Sequence, residues 1–400
     1  VYSSYSQDSF LQAMAFQREV INNIIPDVKP DLIHCNDWMT GLIPAAARRM
    51  GIPCLFTVHN IHTYKATLAQ IEDRGIDAAP FWQNLYYERP PYNYEESRSN
   101  NPVDMLASGI FAAHFINTVS PTFLKEVVEG RHSFVPANIR TEMANKYHAG
   151  CASGILNSPD ENSTPESDPY IEMKYDAETH VKAKQVNKIA FQSRTGLRVD
   201  QNAPLFFWTS RLDPMQKGCS LLTDILYQVV HKYWDQGLQI AVVANGSYQP
   251  IFRNIVAQHD FYDRVLVCDF DEGLSHLAFA ASDFILMPSL FEPCGLPQMT
   301  SQYFGSLPVV HDTGGLHDTV ERMNVEQHTG NGFPFETYDD GGLMWAMDEA
   351  MRFWALPAEV KEREISRVMR ESKLRFNHDV TAQEYIRIYE NMLARPLVQH

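Results

Sequence analysis

Two short segments carry charges suited to a phosphate and a sugar. Ser210-Arg-Leu-Asp-Pro-Met-Gln-Lys-Gly218 sets Arg211 and Lys217 on either side of a turn that opens a helix. A planar guanidinium fork and a compact ammonium at such a turn are suited to gripping a diphosphate; the plainer reading is a pair of solvated loop cations. Pro288-Ser-Leu-Phe-Glu-Pro-Cys-Gly-Leu-Pro297 holds Glu292 among apolar residues and structure-fixing prolines. The backbone N–H groups of Cys294, Gly295 and Leu296 would stand unpaired at the start of the next helix. They would be donors to sugar hydroxyls or phosphate, with Glu292 beside them as an acceptor. Leu296, Met299 and Tyr303 then fall on one helical face. Thr313-Gly314-Gly315, ahead of a further helix, is a small turn able to cradle an anion.

The N-terminal half offers fewer candidates. Asp37, within Asn36-Asp-Trp38, and His59-Asn60 each follow a β-like run, so they would open on the same side of a sheet. A single histidine is more often a satisfied structural residue than a catalyst. Asp269-Phe-Asp271 has the spacing of a metal-binding Asp-x-Asp, but it precedes a helical stretch, and helix capping by Asp271 accounts for it better. No catalytic metal and no cofactor are expected.

These residues need strands to place them. Asp31–His34 and Pro53–Val58 are β-like and are separated by a helical stretch from Gly41 to Arg49, which makes a βαβ unit with parallel strands. Ahead of it, Phe10 to Ile25 has helical spacing and is stopped by Pro26. The span 63–101 reads as a long surface excursion. Phe115–Val119 resumes the pattern, and Ser120-Pro121 supplies a cap and a first-turn proline. Beyond Pro204, strands are expected at Leu205–Thr209, Gln239–Ala244, Arg264–Cys268, Asp283–Met287 and Pro308–Val310, each followed by a helix. Such alternation gives a parallel sheet covered on both faces, a Rossmann-like domain, with ligands beyond the carboxyl ends of the strands. Thr381 to Leu393 forms a terminal helix.

Four hundred residues exceed what one core usually serves. A net charge of −16 argues against nucleic acid or an anionic membrane surface as partner. No apolar run approaches the ~18 residues of a membrane span. Six scattered cysteines without a CxxC pair fit a reducing cytoplasm.

Taken together, the segments resemble the bacterial glycogen synthase and plant starch synthase family, in the same order and across nearly the whole chain. The most specific matches are Phe291-Glu-Pro-Cys-Gly-Leu296 with Gln298, Thr313-Gly-Gly-Leu316 and Asp318-Thr-Val320. His34 to Gly41, Thr57-Val-His-Asn60, Asn117-Thr-Val-Ser-Pro121, Gly154-Ile-Leu-Asn157, Gln216-Lys-Gly218 and Gly330-Asn-Gly-Phe333 support them. The resemblance implies an α/β GT-B fold, with two Rossmann-like domains facing across a cleft and a C-terminal helix crossing back to the first. The expected divisions are 1–178, 179–377 and 378–400.

The resemblance further implies retaining transfer of glucose from a nucleotide sugar, usually ADP-glucose, to the non-reducing end of an α-1,4-glucan. Arg211, Lys217, Glu292 and His59 would be catalytic. Asp37, Asn60, Cys294, Gly295, Leu296, Thr313, Gly314 and Gly315 would bind substrate. A GT-B transferase with a small sugar acceptor, or a non-catalytic glucan-binding relative, stays open as an alternative. Some family features are missing. The N-terminal Lys-x-Gly-Gly loop has no counterpart, so the first domain is expected to be incomplete. Leu290 and His311 stand where arginine is common, and Ala107 where lysine is.

Overall fold

The computed structural model describes residues 7–397, which divide into two units. Unit 1 comprises residues up to Leu156 together with those from Ala382 onward, and unit 2 runs from Asn157 to Thr381. The first division therefore falls at Leu156/Asn157, not after residue 178. The Asn157–Pro169 loop and the residues after it pack within unit 2. There Asn187 Oδ1 accepts from the N–H groups of Glu172 and Met173 at 2.8 and 3.0 Å, and the Tyr175 hydroxyl donates to the Phe304 carbonyl at 2.8 Å. The second division lies at Thr381/Ala382, inside the last helix and not at its start.

Unit 1 is built on a parallel sheet of β1 (Ile33–Asn36), β2 (Cys54–Val58), β5 (Phe115–Thr118) and β6 (Ala152–Gly154), in that order. A small antiparallel pair forms between β3 (Lys65–Ala66), at the start of the expected loop excursion, and β4 (Val103–Asp104), just past its end. That excursion also holds the helices Leu68–Glu72 and Tyr94–Asn100. Both are started by local caps, a Thr67/Gln70 capping box and Asn93, which order short helices without a long apolar period. Pro26 does not stop the first helix. The helix Gln7–Glu19 passes through a π-helical turn, Val20–Ile24, into Ile25–Val28. Pro26 occupies the opening turn of that last segment, where a missing N–H costs little. The stop is Lys29, whose left-handed φ of 50° turns the chain out.

The last helix, His378–Leu393, brings the chain back to unit 1. Ile388 packs with Leu55 and Ile155, and the Tyr385 hydroxyl accepts from Asn117 Nδ2 at 3.1 Å. His34 is held at both ring nitrogens, by the Tyr389 hydroxyl at 2.7 Å and Thr57 Oγ1 at 2.6 Å.

Unit 2 carries β7 (Leu205–Trp208), β8 (Gln239–Val243), β9 (Val265–Cys268), β10 (Phe284–Met287), β11 (Leu307–His311) and β12 (Phe333–Phe335). All pairings are parallel and the spatial order is β12-β11-β10-β7-β8-β9. Successive residues of each strand feed opposite cores, as the two-residue strand period requires. Phe206, Trp208, Ile240, Val242, Phe284 and Leu286 face one core; Leu205, Phe207, Ala241, Val243, Ile285 and Met287 face the other. Both faces are buried, so these strands read as unbroken apolar runs. Among the described residues, no helix is long and apolar enough to cross a membrane.

Candidate active site

The strand order of unit 2 reverses between β7 and β10. From β7 the chain winds outward through β8 and β9; from β10 it winds the other way through β11 and β12. In such sheets the crevice beyond the carboxyl ends of the two central strands is where ligands bind. The loops that leave β7 and β10 are Ser210–Gly218 and Pro288–Leu296, the two segments singled out for their chemistry.

These loops are joined by a charge pair. Lys217 Nζ lies 2.6 Å from Glu292 Oε2, with side-chain exposures of 13% and 9%. Ser289 Oγ donates to the same carboxylate oxygen at 3.2 Å. An ammonium has three donors, so Lys217 keeps donors to spare; Glu292 Oε1 has no partner among the described residues. Backbone straps fix the pair. Leu290 N–H donates to the Gln216 carbonyl at 2.7 Å and Gln216 Nε2 to the Phe291 carbonyl at 3.3 Å. Asp213 Oδ1 shapes the first loop by accepting from Met215 N–H at 2.8 Å. Arg211 is exposed, and its guanidinium has no partner among the described residues.

The Thr313 turn sits directly behind Glu292. Gly315 N–H donates to the Glu292 carbonyl at 2.9 Å, so it is committed to the protein and not open to an anion. A methyl group on Gly314 would overlap that same carbonyl oxygen, and one on Gly315 would overlap the Cys294 carbonyl. The two glycines let the turn press against the Glu292 loop, and Thr313 is buried with them.

The N–H groups of Cys294, Gly295 and Leu296 have no acceptor among the described residues, as their position before the helix Pro297–Tyr303 predicts. The Cys294 thiol is pushed up to about 12 by burial, which leaves it protonated at neutral pH. Leu296 is 42% exposed whereas Met299 and Tyr303 are buried. Pro297 takes the first helical position, so Leu296 is the cap residue and lies off the apolar face.

In unit 1, β1 and β2 are paired neighbours, and Asp37 and His59 follow directly at their carboxyl ends. Asp37 is 2% exposed. Its Oδ1 accepts from His59 N–H at 2.8 Å and from Asn60 N–H at 3.4 Å. Asp37 itself has a positive φ of 56°, an unusual conformation for a residue with a side chain. The carboxylate expected to meet substrate is thus engaged in shaping the next loop. His59 Nε2 lies 2.9 Å from Asn36 Oδ1, an acceptor that selects the tautomer protonated at Nε2. Asn60 Oδ1 accepts from Ile61 N–H at 2.7 Å.

Sequence reasoning missed Ser289, Gln216 and Asn36, whose roles are visible only through partners brought in by the fold. His311 was noted only as a departure. Its Nδ1 donates to the Ser289 carbonyl at 2.7 Å, behind Glu292. A depression of about 720 Å³ in unit 2 is walled by Tyr170, Arg253, Asp269, Phe270 and Asp271, away from the β7/β10 switch. There Asp271 caps the helix Glu272–Ala281 through Leu274 N–H at 2.6 Å, and Asp269 pairs with Arg253 at 3.1 Å.

Residues 1–136 match the family model described as starch synthase catalytic domain, and residues 203–352 match glycosyl transferases group 1. The chain is 32% identical over 389 residues to the glycogen synthase of Cellvibrio japonicus, covering 95% of this chain and 75% of that one. The chain belongs to the glycogen synthase and starch synthase family. The glycogen synthase of Thermotoga maritima is 33% identical over 380 residues, covering 92% and 73%. Among solved structures, the catalytic domain of starch synthase IV from Arabidopsis thaliana, bound to ADP and acarbose, matches with a TM-score of 0.80 at 27% identity. The match covers 98% of this chain and 79% of that one. A sucrose-phosphate synthase from Thermosynechococcus elongatus, 17% identical with a TM-score of 0.59 over 98% and 81% of the two chains, shares the fold. The chain is thus a glycosyltransferase with the GT-B fold, two Rossmann-like units and a C-terminal helix returning to the first.

Proposed function

We propose that the chain transfers glucose from ADP-glucose to the non-reducing 4-hydroxyl of an α-1,4-glucan, with retention of configuration. The observation that carries this reading is the Lys217–Glu292 pair at the strand-order switch of unit 2. Arg211, exposed and uncommitted, and the spare donors of Lys217 receive charge as it develops on the leaving diphosphate, the electrostatic help that usually contributes most to such a step. Glu292 Oε1 and the N–H groups of Cys294, Gly295 and Leu296 orient the glucose hydroxyls. The leaving phosphate helps deprotonate the acceptor on the same face.

In unit 1, His59 and Asn60 meet the sugar, and Asp37 acts as a positioning residue through their backbone. The Arabidopsis relative, bound to ADP and acarbose, supports adenine as the base and a glucan as acceptor. We place the activity in the cytoplasm, in keeping with six free cysteines. The test is incubation with glycogen and labelled ADP-glucose or UDP-glucose. Lengthened glucan, with ADP-glucose the better donor, is expected. Label in products of discrete small size would move the acceptor class, and no transfer from either donor would overturn the reading.

A further inference from the structure

We infer that unit 2 carries a second binding site, for a small phosphorylated sugar, at the end of its sheet opposite Glu292. Asp283 enters β10 from one end and Glu292 follows from the other. At the Asp283 end lies a cavity of about 280 Å³, near the lower end of the roughly 300–1,000 Å³ typical of small-molecule sites. Lys184, Lys188 and Lys361 line it with Trp354, and Asp283 and Glu362 are its only carboxylates. Three lysines face two carboxylates around one cavity in a chain with 49 acidic and 33 basic residues; burial brings Lys184 down to about 7, so Lys188 and Lys361 are the ammoniums that an anion would meet.

The hydrogen bonds separate framework from free donors. Lys184 Nζ donates to the carbonyls of Ala280, Ser282 and Phe304 at 3.1, 2.8 and 3.0 Å, which commits all three of its protons. It is a structural floor. Lys188 Nζ donates to the Ala203 carbonyl at 2.9 Å and pairs with Asp283 Oδ2 at 2.5 Å. Among the described residues, Lys361 Nζ donates only to the Trp354 carbonyl, at 2.8 Å. Lys188 and Lys361 lie 4.9 and 4.2 Å from the centroid of the same Trp354 ring. The uncommitted donors therefore gather around one indole, where a phosphate can take charge-assisted bonds from both ammoniums.

The remaining wall selects more than a phosphate. His180 is buried, and burial lowers its pKa, so the ring is neutral. Its Nδ1–H donates to the Ala177 carbonyl at 2.8 Å, which leaves Nε2 as a lone-pair acceptor. That atom is buried with no partner among the described residues, a costly state unless something donates to it. A phosphate dianion has no proton to give, whereas a sugar hydroxyl does. Gln185, Gln201 and Asn202 complete the wall with amides that both donate and accept. The site thus asks for an anion and hydroxyl donors in one small molecule.

The test is calorimetric titration of the whole protein with glucose 6-phosphate as probe, with inorganic phosphate, glucose and ADP run alongside. Glucose 6-phosphate is expected to bind about tenfold more tightly than inorganic phosphate, and glucose not to bind. Lys361→Gln should weaken the probe about tenfold. Glu362→Gln, by removing a carboxylate from the wall, should tighten it, and neither change should alter ADP affinity. A probe that does not bind, or one indifferent to both substitutions, overturns the site. Phosphate binding as tightly as the sugar phosphate overturns the sugar assignment.

Discussion

Unit 2 sets opposite charges against each other between two loops at its strand-order switch, whereas unit 1 fixes a histidine by hydrogen bonds alone. Lys217 and Glu292 are nearly sealed from solvent and braced from behind by Gly314, Gly315 and His311. His59 hangs between a backbone bond to Asp37 and a side-chain bond to Asn36. The first arrangement is preorganised for charge that develops during a reaction, because its dipoles and ions need not reorganise when the transition state forms. The second is suited to recognising a neutral hydroxylated group. The two arrangements should therefore fail differently: unit 2 in turnover, unit 1 in loop geometry.

The largest effect should come from unit 2. Glu292→Gln keeps shape but removes the charge opposite Lys217, so kcat should fall by roughly 10²–10³-fold, measured by glucose incorporation, while the thermal midpoint moves by only a few degrees. Acid should then separate the units. Burial holds His34 in unit 1 at a pKa of about 4, against an ordinary value of 6.5. Between those values the unfolded chain binds a proton that the folded unit refuses, so stability falls as pH drops from about 6.5 to about 4. The loss amounts to about 3 kcal/mol. Urea unfolding followed at several pH values should show it, and His34→Gln should flatten the slope.

Gly314→Ala sharpens the contrast by damaging the brace without touching a charge. The added methyl meets the Glu292 carbonyl, and the left-handed φ of 49° is unfavourable for alanine. The expected cost is about 2 kcal/mol, together with a loss of turnover. Asp37→Asn is the mildest. It weakens the acceptor for the His59 and Asn60 N–H groups and should cost about 1 kcal/mol. KM should rise more than kcat falls, and an unchanged KM would remove Asp37 from the positioning role.

Much of this was legible in the sequence because β7, β8, β10 and β11 are short apolar runs with helices between, and β2 and β5 follow the same pattern. The strands that escaped notice have physical reasons. β12, Phe333-Pro-Phe335, carries a proline that argues against a central strand, and it lies at the sheet edge where proline is tolerated. β6, Ala152-Ser-Gly154, has no apolar alternation and is only partly buried. Strand order left no local mark, so the switch between β7 and β10 could not be read. Nor could the pairing of Lys217 with Glu292, residues far apart in sequence that each resemble an ordinary loop charge until the sheet joins them. Asp37 drew attention as a polar residue after a strand, and the fold then turned its carboxylate inward to the His59 loop. Leu296 was assigned to an apolar face one position too early, because Pro297, not Leu296, begins the helix.

The most direct test of the account is a double-mutant cycle on kcat/KM with Lys217→Met, Glu292→Gln and the pair combined. If the two residues act as one charge pair at the donor site, the double variant should be about as slow as the slower single variant, a coupling of about 2 kcal/mol or more. Losses that simply multiply would mean that Lys217 and Glu292 act independently, and would contradict the pair as the centre of the chemistry.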